Sequence, residues 1–196
     1  LFTNGIRANS SMKTNVSVLS GQDHKPLNAA LVAKEEAVEI FFTILAGVLT
    51  FVLGQVVIKL FIEPVHSMKR VVADISHKLI LYANLYANPK PLGDESQDQA
   101  LKEFRELSSR LHAAMSLIPV YPVTSFIFGL PKRSDVVKAS SNLIGLYNGH
   151  DHTLANQGIL NSYSAQHVRM ALGIYIPEGE WLDPEKESHF VKAKDN

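Results

Sequence analysis

The sequence predicts an all-α protein in which one N-terminal transmembrane helix continues through a proline-kinked juxtamembrane helix into a small bundle of about four helices. Three observations predict it. The run Ile40–Ile58, IFFTILAGVLTFVLGQVVI, holds no charge and no proline over nineteen residues. Beyond it, apolar residues return at three- and four-residue steps in successive segments, the period of a helix with one buried stripe. No alternating apolar and polar run of strand length is bounded by turn signals.

The first element is the apolar run. A helix rises about 1.5 Å per residue, so it covers roughly 28 Å, close to the hydrocarbon thickness of a bilayer. Its only strongly polar side chain is Gln55; Glu35, Glu36 and Glu39 precede it and Lys59 follows. A secretory signal has a basic leader and a shorter apolar core, so a retained span over residues 35–63 is expected. Lys25 and Lys34 lie upstream against Lys59, Lys69, Arg70 and Lys78 downstream. That bias favours a single-pass protein with its C-terminal domain in the cytoplasm, a pattern that fits small proteins of bacterial inner membranes. Thr43, Gly47, Thr50 and Gly54 share one face of the span, with Gln55 beside it. Small residues let helix backbones approach closely in lipid, which predicts a homo-oligomer or a membrane partner protein in addition to the bilayer.

Residues 1–34 are rich in Asn, Ser and Thr without a clear period and read as a flexible tail. Asn9-Ser10-Ser11 and Asn15-Val16-Ser17 match the glycosylation pattern, which matters only in a secretory lumen. The bundle occupies residues 64–176. Glu63-Pro64 marks the exit from the span, after which Val65, Met68, Val72, Ile75, Leu79, Tyr82 and Tyr86 form a stripe. A turn at residues 89–95 leads to a second helix, with Ser96 and Gln99 spaced as a capping box and Leu101, Phe104, Leu107 or Ser108, Leu111, Met115 and Ile118 facing inward.

Residues 119–131 carry three prolines and read as an apolar loop, packed under the bundle or resting on the membrane. Tyr121, Phe126 and Phe128, followed by Lys132 and Arg133, are suited to an anionic lipid surface. A third helix is expected from Ser134, carrying Val136, Val137, Ser140, Leu143, Ile144 and Tyr147 and closing at Asn148-Gly149 in a left-handed cap. A fourth should begin near Thr153, with Ile159, Leu160, Tyr163, His167, Met170 and Ala171 inward. Residues 177–196 are polar and charged and read as a flexible tail.

Chain length and a 46% hydrophobic content leave room for one small domain beyond the span. A net charge of zero removes the basic face that a nucleic-acid binder needs. Cysteine is absent, so thiolate catalysis, thiolate zinc sites and disulfides are excluded. The cluster closest to a metal site is His150-Asp151-His152, with His167 and His189 further on. On a glycine-led loop these residues read more simply as a solvated turn. His66 and His77 stand singly on the juxtamembrane helix and read as ordinary surface side chains rather than a pH reporter. No nucleophile elbow, phosphate-binding loop, dinucleotide fingerprint or zinc-protease motif occurs, and no cofactor is expected. The resulting expectation is a non-enzymatic, membrane-tethered interaction or regulatory module. The alternatives are a membrane-bound metal-dependent hydrolase using the loop histidines, and a two-span pore in which residues 113–131 supply the second crossing.

Overall fold

The computed structural model describes residues 24–150, 154 and 156–192. The part of the expected tail at residues 1–23, including both glycosylation patterns, lies outside them, as do residues 193–196. Every regular element is helical, and no strand forms among the described residues. The chain divides into two units, Leu1–Leu53 and Gly54–Asn196.

In the first unit the structure is helix α1, His24–Val57, which continues four residues into the second. It begins within the segment expected to be tail. Residues 27–38 combine Leu, Ala, Lys and Glu, all strong helix formers, behind a proline that fits a first turn. The hydroxyls of Thr43 and Thr50 donate to the carbonyls of Glu39 and Ala46 at 2.9 and 2.8 Å.

The second unit opens with a π turn, Ile58–Ile62, followed by α2, Glu63–Leu81. Pro64 has no N–H to give the carbonyl four residues back, and its ring would crowd that group. The widened turn absorbs both problems: the Glu63 N–H reaches Ile58 O, and helical structure carries on to Leu81. The expected kink at Pro64 is therefore met as a π turn just before it.

Five further helices come next: α3 (Ala83–Ala87), α4 (Glu95–Ser116), α5 (Tyr121–Phe128), α6 (Arg133–Asn148) and α7 (Gln157–Leu172). A 3-10 turn, Glu178–Glu180, and α8, Pro184–Lys192, follow. Ion pairs fix the direction of α4 against α2: Asp74 meets Arg110 at 2.6 Å and Lys78 meets Glu103 at 2.9 Å, so the two run antiparallel. Ser108 against Ser140 and Arg105 against Tyr147 set α6 antiparallel to α4. Gly145 beside Ser164, and Gly149 beside Asn161, do the same for α7 against α6. The core between them holds Met68, Ile75, Leu79, Phe104, Leu111, Val136, Leu143, Leu146 and Val168.

Helix starts and faces differ in detail from expectation. Asp94 caps α4, accepting from the Gln97 N–H at 3.0 Å; Asp94 and Gln97 repeat the spacing of Ser96 and Gln99 two residues earlier. On α2, Val71 is buried and Val72 only half so, because three- and four-residue steps both continue a stripe from Met68. The buried face of α6 is rotated: Ala139 and Leu146 are inside while Val137 and Ile144 are exposed. In α7, Asn161, Gln166 and Arg169 are buried, His167 is half-buried and Met170 is exposed. The helix starts at Gln157 rather than near Thr153.

Gly149 is not left-handed (φ −87°). Its glycine is required because a β-carbon there would collide with the Asn161 side chain. The left-handed glycine cap occurs instead at Gly173, where the Ile174 N–H reaches Arg169 O at 2.8 Å.

The segment from Pro177, expected to be a tail, lies along α7. Glu180 pairs with the buried Arg169 at 2.5 Å, and Gln166 both donates to Leu182 O and accepts from its N–H. The Tyr163 hydroxyl donates to Asp183 O, and its ring packs against Phe190. The polar composition of this strap suggested a tail because its partners are polar groups on α7, far away in sequence.

Candidate functional site

The longest continuous apolar surface lies on α1. In the 54-residue helix Asn28–Leu81, the most apolar 18-residue window has a mean hydropathy of 2.3 and none of it is buried. Side chains from all around the helix are exposed, among them Phe41, Phe42, Ile44, Leu49, Phe51 and Leu53. The core helix of a water-soluble protein hides at least one face; this one hides none. The helix is long and apolar enough to cross a membrane.

Of the expected helix-contact residues, Thr43, Gly47, Thr50, Gly54 and Gln55 are all exposed, and an added β-carbon on either glycine would meet nothing within 4 Å. Both threonine hydroxyls donate to carbonyls of their own helix, so this face offers small size more than free donors. Gln55 supplies the amide.

The expected membrane-surface residues separate into two groups. Phe126, Lys132 and Arg133 are exposed. Tyr121 is buried with its hydroxyl donating to Pro131 O at 2.8 Å, and Phe128 packs against the core. The proline-rich segment is not a loop: Pro122 sits in the first turn of α5, where a missing N–H costs nothing. Residues 113–131 do not form one straight crossing either, since α4 and α5 are bent by 103°.

For metal chemistry, Asp151 and His152 lie outside the described residues, leaving His150 as the described member of that trio. Among the described residues no group of three or more His, Asp or Glu side chains converges as a metal site would. His167 faces Glu187 at 3.3 Å across the strap. A shallow groove between α6 and α7 is lined by Asp135, Lys138, Asn142, His167 and Met170.

Burial pushes the phenols of Tyr86 and Tyr121 up, which keeps them protonated near neutrality. Hydrogen bonding to Glu103 raises the Lys78 ammonium, keeping it charged. All three directions favour the protonated form, the opposite of what activates a nucleophile. Compared with protein-family models, with curated proteins and with solved structures, the chain matches none.

Proposed function

We propose that this chain is a single-pass membrane protein whose helical bundle is held at the bilayer surface as a non-enzymatic interaction or regulatory module. The observation that carries the reading is the exposure of α1 on every side along its apolar window. Burying such a surface in water would require a partner all around it, whereas lipid supplies one at no cost in backbone hydrogen bonds, because a helix satisfies its own.

Lys59, Lys69, Arg70 and Lys78 follow the span, while Lys25 and Lys34 precede it. This asymmetry supports a cytoplasmic bundle, and we place the protein in a bacterial inner membrane on the same pattern. The face of Thr43, Gly47, Thr50 and Gly54 is where a second anchor, from another copy or a membrane partner, would pack.

Extraction of native membranes tests the anchor: the chain should stay in the pellet through alkaline carbonate and leave it only with detergent. Release by carbonate alone would remove the reading. Crosslinking in the same membranes tests the contact face, where Gly47→Leu with Gly54→Leu should reduce crosslinked dimers. Unchanged products would remove that part alone.

A further inference from the structure

Helix α5 is amphipathic in the inverted sense. Its inward face, Tyr121, Thr124, Ser125 and Phe128, carries three hydroxyls, each spent on a backbone carbonyl: Tyr121 on Pro131, Thr124 on Pro119 and Ser125 on Pro122. Its outward face is wholly apolar, with Phe126 89% exposed, Ile127 66% and Val123 55%, continued by Val120 at 65% in the preceding corner. A surface helix in water has the opposite arrangement, so this face is built for a non-aqueous neighbour.

Its position identifies the neighbour. The Asp74–Arg110 and Lys78–Glu103 pairs set the register of α2 against α4, and that register brings the end of α4 level with the first turn of α2. The chain enters the bundle at that end, through the π turn Ile58–Ile62. From there α5 turns away from α4 by 103°, lying across the bundle end instead of along it.

Charge agrees with this placement. Lys59, Lys69, Arg70, Lys132 and Arg133 are exposed near the entry end, against Glu63 and the half-buried Asp135. The opposite end carries Asp94, Glu95 and Asp98 around the turn into α4, with Lys90 paired to Asp94, and so stays net acidic. Basic side chains around an apolar face match an anionic bilayer surface, and an acidic far end is repelled by it.

We infer that the outward face of α5 inserts into the headgroup boundary of an anionic bilayer as a second membrane contact, holding the bundle with its acidic end away from lipid. The inference rests on α1 being a span. Such a second contact fixes which face of the bundle the cell can reach.

The test uses the full chain in vesicles of phosphatidylcholine and phosphatidylglycerol, with Trp181→Phe removing the one native tryptophan. Phe126→Trp should emit to the blue and be quenched by lipid brominated close to the headgroup, and Ile127→Trp should repeat the result. Leu92→Trp, exposed in the turn before α4, should emit as in water and stay unquenched. Water-like, unquenched emission from Trp probes at both 126 and 127, in a chain that still resists carbonate, would overturn this inference and leave the anchor standing. Blue emission that bromolipid does not quench, and that reddens when protein is diluted in lipid, would mean a second copy covers the face and would also overturn it.

Discussion

The side-chain amide of Asn161 donates to the backbone carbonyl of Tyr86 at 3.0 Å and to that of Gly149 at 2.7 Å, joining α7, the end of α3 and the end of α6 at one buried point. Gln157 in turn donates to its carbonyl oxygen at 2.8 Å. An alanine here leaves two buried carbonyls without these donors. Asn161→Ala should lower the stability of the full chain in mild detergent by about 3 kcal/mol, read by chemical or thermal unfolding. A loss under about 0.5 kcal/mol would mean water replaces the amide.

Two helical glycines should respond oppositely to alanine. At Gly158 a β-carbon would run into the backbone carbonyl oxygen of Ala87, and backbone cannot step aside as a side-chain tip does. Gly158→Ala should destabilise by about 1–3 kcal/mol. At Gly145 the new carbon would sit 3.6 Å from Ser164 Oγ, an ordinary contact, so Gly145→Ala should gain up to about 1 kcal/mol from helix propensity. Equal effects at the two sites would contradict the close approach of α3 to α7.

The hydroxyls of Ser108 and Ser140 lie 2.6 Å apart in the buried seam between α4 and α6. Either single alanine removes this shared bond and leaves the other hydroxyl only the facing backbone carbonyl, at 3.2 Å for Ser108 and 3.5 Å for Ser140, while the double alanine leaves no hydroxyl to satisfy. A double-mutant cycle should therefore show each single change costing about 1 kcal/mol, and the pair costing clearly less than their sum. Strict additivity would show the hydroxyls are not coupled.

Acid should weaken the turn into α4. The Gln97 N–H, and then the Lys90 ammonium, hold the Asp94 carboxyl below the ordinary carboxylate value. Folding thus favours the charged form. Its contribution is fully present above the unfolded value and is lost as pH falls through the lower, folded one. Asparagine caps a helix about as well but carries no charge. The melting-temperature advantage of the native chain over Asp94→Asn should be constant near neutrality and fade below about pH 4. An advantage that persists undiminished into strong acid would contradict the charge-assisted cap.

Local signals read well where one physical effect dominated. The apolar run and the inward stripe of α4 were both legible, because nothing competes with hydrophobic period in those stretches. Faces were harder where two steps were equally apolar: Val71 and Val72 both continue from Met68, and only packing against the rest of the core chooses Val71.

Helix α5 was obscured by its prolines. Pro122 reads as a breaker until the helix is seen to start at Tyr121, where proline is harmless. The side of α5 facing inward was illegible for a different reason: its hydroxyls bond the nearby backbone of Pro119, Pro122 and Pro131, so polar residues lie inside and Phe126 outside. The strap after Pro177 depended on Gln166, Arg169 and Tyr163 meeting it from α7, and no local pattern records such partners.

The account depends most on where residues 40–58 reside, and the absence of native cysteine makes that directly measurable. Single cysteines at Lys34, Val48, Val52 and Lys69 would be challenged in native membranes with a membrane-impermeant maleimide, before and after detergent. The account predicts that Val48→Cys and Val52→Cys stay unlabelled until detergent is added, while Lys34→Cys and Lys69→Cys are reached from opposite sides. Labelling at 48 and 52 as fast as at 69 in intact membranes, or access to 34 and 69 from the same side, would contradict it.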